Sequence, residues 1–155
     1  MYTYFTMNWN QTAHDFLRIC AAFVFALPIG WEREHEEHGL GVRTFPLVAV
    51  ASCGFVLLGV TLDPADPAAR SRIIQGLIAG IGFIGGGAIL KGNGSVHGTA
   101  TAASIWNMGV MGAAVAQGRF DIGLLLTALN FLTLRVLAPI KKKLDLDCVT
   151  PPPQK

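Results

Sequence analysis

The sequence predicts an all-α membrane protein, a bundle of about five transmembrane helices with the N-terminus outside and the C-terminus inside. Three observations carry that expectation. Hydrophobic residues make up 52% of the chain and charged residues only 14%, where soluble domains run near about 25% charged. The charges are also segregated, so that long uncharged runs alternate with short polar segments. Finally, Ile73 to Leu90 holds 18 residues without a formal charge. As a helix that run reaches about 27 Å, close to the hydrocarbon thickness of a bilayer.

Taken in order, residues 1–15 form a short outer segment that is polar and aromatic. Its Trp9, Tyr2 and Tyr4 suit a headgroup belt. It has no basic n-region, so no signal-peptide cleavage is expected. The first span is Phe16 to Trp31, with Arg18 snorkelling outward at one end and Pro28 kinking the other. The most charged segment follows, WEREHEEHGLGVRT. If the helix persists into it, Glu32 and Glu36 repel at i,i+4 while Arg33 and Glu37 attract, and Gly39 and Gly41 end it. The second span is Thr44 to Leu62, with Pro46 in the first turn, where proline is tolerated. DPADPAARSR then reads as a proline-punctuated loop.

The third and fourth spans form the centre of the chain, GLIAGIGFIGGGAILKGNGSVHGTATAASIW. Ile73 to Leu90 and Gly98 to Gly118 fold back on each other through a turn at Lys91–Ser95, whose Gly and Asn tolerate positive φ. In water Gly76, Gly80, Gly82, Gly85, Gly86 and Gly87 would each cost a helix about 1 kcal/mol relative to Ala. In lipid the helix survives, because unmade backbone hydrogen bonds cost more there, and the glycines let neighbours approach closely. The third helix is therefore expected to be the packing centre. Gly80 to Gly85 also matches the dinucleotide fingerprint G-x-G-x-x-G. That match needs a preceding strand, a soluble helix and an acidic residue further on, and its surroundings supply none of them. The fifth span runs from Ile122 to Ile140, with Arg135 snorkelling toward Lys141. Residues 16–140 thus make one transmembrane domain, and residues 141–155 a basic, Pro-rich inner tail that favours extended polyproline conformation.

Five spans put the termini on opposite sides. With the C-terminus inside, Arg33, Arg43, Lys91, Lys155 and the triplet Lys141–Lys143 fall on the inner side, against Arg70, Arg72 and Arg119 outside. The positive-inside rule then gives N-out, C-in. The net charge of +2 is too small for a nucleic-acid surface. Cys20, Cys53 and Cys148 give neither a disulfide framework nor a metal spacing. With no nucleophile–base pair, P-loop or Cys–His arrangement, the chain does not read as an enzyme, and no cofactor is expected.

Three groups of residues are candidates for function. Glu32, Arg33 and Arg43 put ionised groups near the hydrocarbon, where a charge costs about 2.5–3.5 kcal/mol at the centre and less at the edge. Such groups either pair, line a polar cavity or anchor the helix at the interface, and the residues alone leave these readings open. His35 and His38 among four glutamates invite a metal, but histidines three apart do not make HExxH, and a solvated loop accounts for them better. Thr101, Ser104 and Asn107 recur three apart along the fourth span. They suit interhelical hydrogen bonds first and the wall of a polar cavity second.

Three blocks taken together resemble the MgtC/SapB family of bacterial inner-membrane proteins. GWEREHEEHGLGVRT is similar to the family's G-x-E-R … G-L-R-T, GIGFIGGGAIL to G-I-G-F-L-G-A-G-x-I, and GTATAASIW to G-L-T-T-A-A-T-x-W. The matched positions include Gly30, Glu32, Arg33, Gly41, Arg43, Thr44, Gly80, Gly82, Gly85, Thr101 and Trp106, while Thr99, Ala100 and Ser104 depart from the third pattern. The resemblance implies a multi-pass inner-membrane protein linked to growth under low Mg²⁺ and, in pathogens, to virulence through survival inside host cells. It implies a regulatory role through contact with another inner-membrane protein, with the proton-driven ATP synthase as a proposed target. Longer members carry a soluble C-terminal domain, which this chain is expected to lack. Two alternatives stand beside that reading. One is an ion transporter or channel, for Mg²⁺ or proton-coupled, with a polar path near Glu32, Arg33 and Arg43. The other is an assembly protein whose glycine face makes homo-oligomers within the lipid bilayer.

Overall fold

The computed structural model describes residues 8–36, 41–62, 67–92 and 95–149. They form five helices and one small hairpin: α1 (Trp9–Glu36), α2 (Thr44–Leu62), α3 (Pro67–Gly87), β1 (Leu90–Gly92), β2 (Ser95–His97), α4 (Thr99–Ala116) and α5 (Phe120–Val149). Short connections fold each helix back on the one before it. Gly30 meets Val42 across the first connection, Gly59 meets Ile73, Gly85 meets Ala102, and Gly123 meets Val115.

The helix boundaries differ from the expected spans for local reasons. α1 starts at Trp9, because Asn8 caps it: the Gln11 N–H donates to Asn8 Oδ1 at 3.4 Å and the Thr12 N–H to the Asn8 carbonyl at 2.9 Å. It runs past Trp31 to Glu36, carrying Pro28 in its interior. α5 likewise continues through the lysine triplet to Val149, since Lys and Leu are good helix formers. Pro151–Pro153, on which the extended tail was expected, lie outside the described residues. The turn expected at Lys91–Ser95 is a β-hairpin, pairing Leu90 with His97, Lys91 with Val96 and Gly92 with Ser95; Asn93 and Gly94 are outside the described residues.

Gly98 joins that hairpin to α4. Its φ of 81° lies in the left-handed region, and a Cβ there would overlap the Ala88 carbonyl oxygen. Gly98→Ala is therefore expected to destabilise by about 1–3 kcal/mol from the backbone conformation alone, with the overlap adding to it. A thermal melt in detergent checks this, and an unchanged midpoint would refute the conformation.

The packing centre is α4, not the glycine-rich α3. α4 packs against each of the other four helices, and its Ile105, Met108, Met111 and Val115 are fully buried together with Ile29 and Phe45. Two glycines permit this: a Cβ at Gly112 would overlap the Ala49 carbonyl of α2, and one at Gly109 the Ile81 side chain of α3. Among the six α3 glycines, Gly85 comes close to a neighbour, with its Cβ position 3.3 Å from the Ala102 carbonyl. At Gly76, Gly80, Gly82, Gly86 and Gly87 a Cβ would meet nothing within 4 Å. The physical reason is position: α3 packs chiefly on α2 and α4 at the side of the bundle, so most of its circumference faces outward. Small residues make close approach possible, but they do not supply the neighbour.

The exterior is apolar. Phe83 is 86% exposed, and Phe16, Leu47, Phe55, Leu124 and Leu132 all stand outward. An apolar surface of that extent belongs against lipid or another protein. Among the described residues, two helices are long and apolar enough to cross a membrane, over Trp9–Glu34 and Phe120–Leu137, and the apolar part of α2 at Thr44–Gly59 is shorter.

Candidate functional site

Five of the polar residues singled out in the sequence, Glu32, Arg33, Thr101, Ser104 and Asn107, gather where the C-terminal end of α1 meets the start of α4 and the middle of α5. Because α1 stays helical through Glu36, Glu32 and Arg33 are successive helical positions, about 100° apart around the axis. They therefore serve different neighbours. Arg33 turns into the bundle, only 3% exposed, and its Nη1 donates to Thr101 Oγ1 on α4 at 3.5 Å. Glu32 turns to α5, where its Oε2 accepts from Arg135 Nη1 at 3.0 Å. Arg135 is thus not snorkelling toward Lys141; it bridges α5 to α1.

Deeper along α4 the seam continues. Thr101 and Ser104 are both buried. The Ser104 hydroxyl donates to Asn130 Oδ1 at 3.0 Å, and Asn107 Nδ2 donates to the Leu126 carbonyl at 3.1 Å. Leu126 and Asn130 sit one turn apart on α5, as Ser104 and Asn107 do on α4, so the two helices meet through matching turns. From Thr101 to Asn107 the seam extends about 9 Å along α4. Each such bond between membrane helices contributes about 0.6 kcal/mol. The larger effect is specificity, since any slip would leave these groups unmatched in a low-dielectric interior.

Arg43 and Thr44 do not join the seam. Arg43 is exposed on the turn before α2, where its carbonyl accepts from the Leu47 N–H, and Thr44 opens the helix half-buried. That turn is held by a residue the sequence reading passed over, Glu34, whose Oε2 accepts from the Val42 N–H at 3.1 Å. Gly41 fits against Glu34 so closely that a Cβ would overlap its carboxylate. Asn130 and Arg135 were also missed as partners. Asn130 carried a signal, because an amide inside an otherwise apolar run needs partners of its own. Arg18 lies near Asp15 at 3.8 Å, on the same face of α1 one turn away.

No group of three or more His, Cys, Asp or Glu able to hold a metal occurs among the described residues. Glu37 and His38 lie outside them, as do the side chains of His35 and Glu36.

A comparison with protein-family models matches residues 19–143 to the MgtC family. This chain belongs to the MgtC family. The match covers the whole seam and all five helices except the ends of α1 and α5. Among relatives of the MgtC family, SrpB of Synechococcus elongatus is 36% identical over 129 residues, covering 76% of this chain and 71% of that protein. YhiD of Escherichia coli K12, described as a candidate magnesium transporter, is 32% identical over 135 residues, covering 81% and 61%. The MgtC protein of Salmonella typhimurium LT2 is 34% identical over 111 residues, covering 72% and 47%. The chain thus spans about half the length of that last relative. No solved structure matches it. Family membership and the apolar exterior together make this a membrane protein.

Proposed function

We propose that this chain is a multi-pass protein of the bacterial inner membrane that acts in Mg²⁺-related adaptation, by contact with another membrane protein rather than by chemistry of its own. All five helices span in this reading, N-out and C-in. α3 with 21 residues and α4 with 18 reach about 31 and 27 Å as helices, lengths that suit a bilayer. The basic residues counted above favour the seam end of the bundle on the inner side by the positive-inside rule.

The observation that carries the regulatory reading is how the seam is engaged. Arg33, Glu32, Ser104 and Asn107 each reach a group on a neighbouring helix. They clamp α1, α4 and α5 together, which is what a rigid presenting scaffold needs. Gly82 and Gly86, two of the α3 glycines whose Cβ position meets nothing within 4 Å among the described residues, offer the outer face of α3 to a second protein. In-membrane photocrosslinking from position 79 or 83 tests this. A specific heterologous partner, with the proton-driven ATP synthase as the first to look for, supports the reading; recovery of the chain alone counts against it.

The transporter reading has one observation in its favour, the description of its relative YhiD. Mg²⁺ and proton flux into oriented proteoliposomes separates the two. The regulatory reading expects no saturable flux from wild type and no change with Glu32→Gln. Saturable flux that Glu32→Gln abolishes would replace it with transport.

A further inference from the structure

The end of the bundle away from the Arg33 seam carries a polar cavity of about 340 Å³. Asp15 and Arg18 of α1, Leu57 of α2, Arg70 of α3 and Ala116 and Gln117 of α4 line it. Just further in, the same helices are dry. Ala22 lies one turn beyond Arg18 on α1, Cys53 one turn before Leu57 on α2, and Val115 directly before Ala116 on α4. All three are fully buried, as are Met111 and Met108 behind Val115. From Val115 to Met108 this apolar layer is about 10 Å deep, and past it stand Asn107 and Ser104 of the seam.

The charges of α1 say what fills the cavity. Between Arg18 and Glu32 lie 13 uncharged residues, Ile19–Trp31, or about 20 Å of helix, against a hydrocarbon core about 30 Å thick. As a span, α1 therefore carries charge below the bilayer surface. At its C-terminal end Arg33 is taken into the seam. Toward its other end Arg18 and Asp15 stand 3.8 Å apart and both remain partly exposed. Pairing does not remove their need for water, because desolvating an ion pair costs several kcal/mol per ion, about as much as the pairing returns. The cavity beside them has room for about ten waters. We infer that it is a water-filled vestibule open to the outer side, sealed from the inner seam by the apolar layer of Cys53, Met108, Met111 and Val115. This rests on the reading that the helices span N-out and C-in, and it deepens the regulatory proposal: water enters the bundle from one side, and the dry layer leaves ions no route through a single bundle.

Labelling of the full chain in sealed membrane vesicles of each orientation, with a membrane-impermeant methanethiosulfonate, tests the inference. Peptide mass spectrometry reads each thiol separately. The reagent attacks thiolates, a charged form that water admits and hydrocarbon excludes. Gln11→Cys, at the mouth of the cavity, marks the side on which it opens. Leu57→Cys is expected to be labelled from that same side. Leu58→Cys, at the same depth on the exposed outer surface of α2, should face lipid and stay unlabelled, and so should the native Cys53 one turn further in. If Leu57→Cys does not fold, Ala116→Cys replaces it, being larger than wild type by one sulfur atom. Three results would each overturn the inference: no label at Leu57→Cys where Gln11→Cys is labelled, equal labelling of Leu57→Cys and Leu58→Cys, or label on Cys53. Gln11→Cys labelled from the inner side alone refutes the orientation, and the vestibule is then judged from that side. Alkaline extraction reports the spanning reading separately: protein that washes off refutes that reading, and protein that stays while Leu57→Cys is silent refutes the vestibule alone.

Discussion

Gly112→Val is expected to destabilise the bundle by about 3 kcal/mol or more, whereas Gly86→Val is expected to leave its stability within about 0.5 kcal/mol of wild type. Both replace a helical glycine in an apolar run with the same branched side chain, so intrinsic propensity in the membrane is matched between them. They differ in what the new Cβ meets. At Gly112 it would overlap the Ala49 carbonyl and press on Ser52 Cβ at 3.0 Å, both on α2. Neither is the far end of a flexible side chain, and Ser52 is already committed, its hydroxyl bonded to the Val48 carbonyl at 2.7 Å. Relief therefore requires α2 and α4 to separate, which opens the core around Phe45 and Met108. At Gly86 the Cβ enters open space. Unfolding in mixed micelles, followed by circular dichroism as denaturing detergent is added, measures both. Equal midpoints would refute α4 as the packing centre.

The contrast between these two glycines shows where sequence reading stopped. The helices were legible because they are long uncharged runs, and charge is what a membrane span must exclude. Their ends were not, since Asn8 and the lysine triplet extend α1 and α5 by local capping and propensity that a hydropathy reading treats as boundary. Glycine density made α3 look central. Yet density says nothing about which side of a helix has a neighbour, and Gly109 and Gly112, fewer and less conspicuous, are pressed against α3 and α2. The seam was half legible. Thr101, Ser104 and Asn107 share a spacing that marks a polar edge on α4, and Glu32 and Arg33 carry charge where charge is costly. Their partners Asn130 and Arg135 lie on α5, and pairing across that sequence distance is set by tertiary register alone. Arg43 looked equivalent to Arg33 by charge and proximity in the chain. A connection between helices put it outside and left Arg33 inside.

The second large effect is expected at Arg33, and its form is a rescue. Thr101→Val removes the hydroxyl that accepts from Arg33 Nη1 while keeping the side chain's volume nearly unchanged. It leaves a guanidinium only 3% exposed with one acceptor fewer. Stripping a hydrogen bond from a buried charged group costs about 1.5–3 kcal/mol, so Thr101→Val should lose about that much, and Thr101→Ser should lose little. Arg33→Leu on the Thr101→Val background should then regain stability, because a buried charge replaced by an apolar side chain no longer needs solvation. The double variant should be more stable than Thr101→Val alone, with a coupling of about 0.5–3 kcal/mol between the two sites in a full mutant cycle. If Arg33→Leu lowers stability further on that background, the Arg33–Thr101 contact is not what holds the guanidinium inside. The same double variant separates architecture from function. A stable Arg33→Leu/Thr101→Val bundle that keeps its crosslinked partner would make Arg33 a clamp within the scaffold. A stable bundle that loses the partner would make the charge itself part of what the partner reads, acting through the C-terminal end of α1.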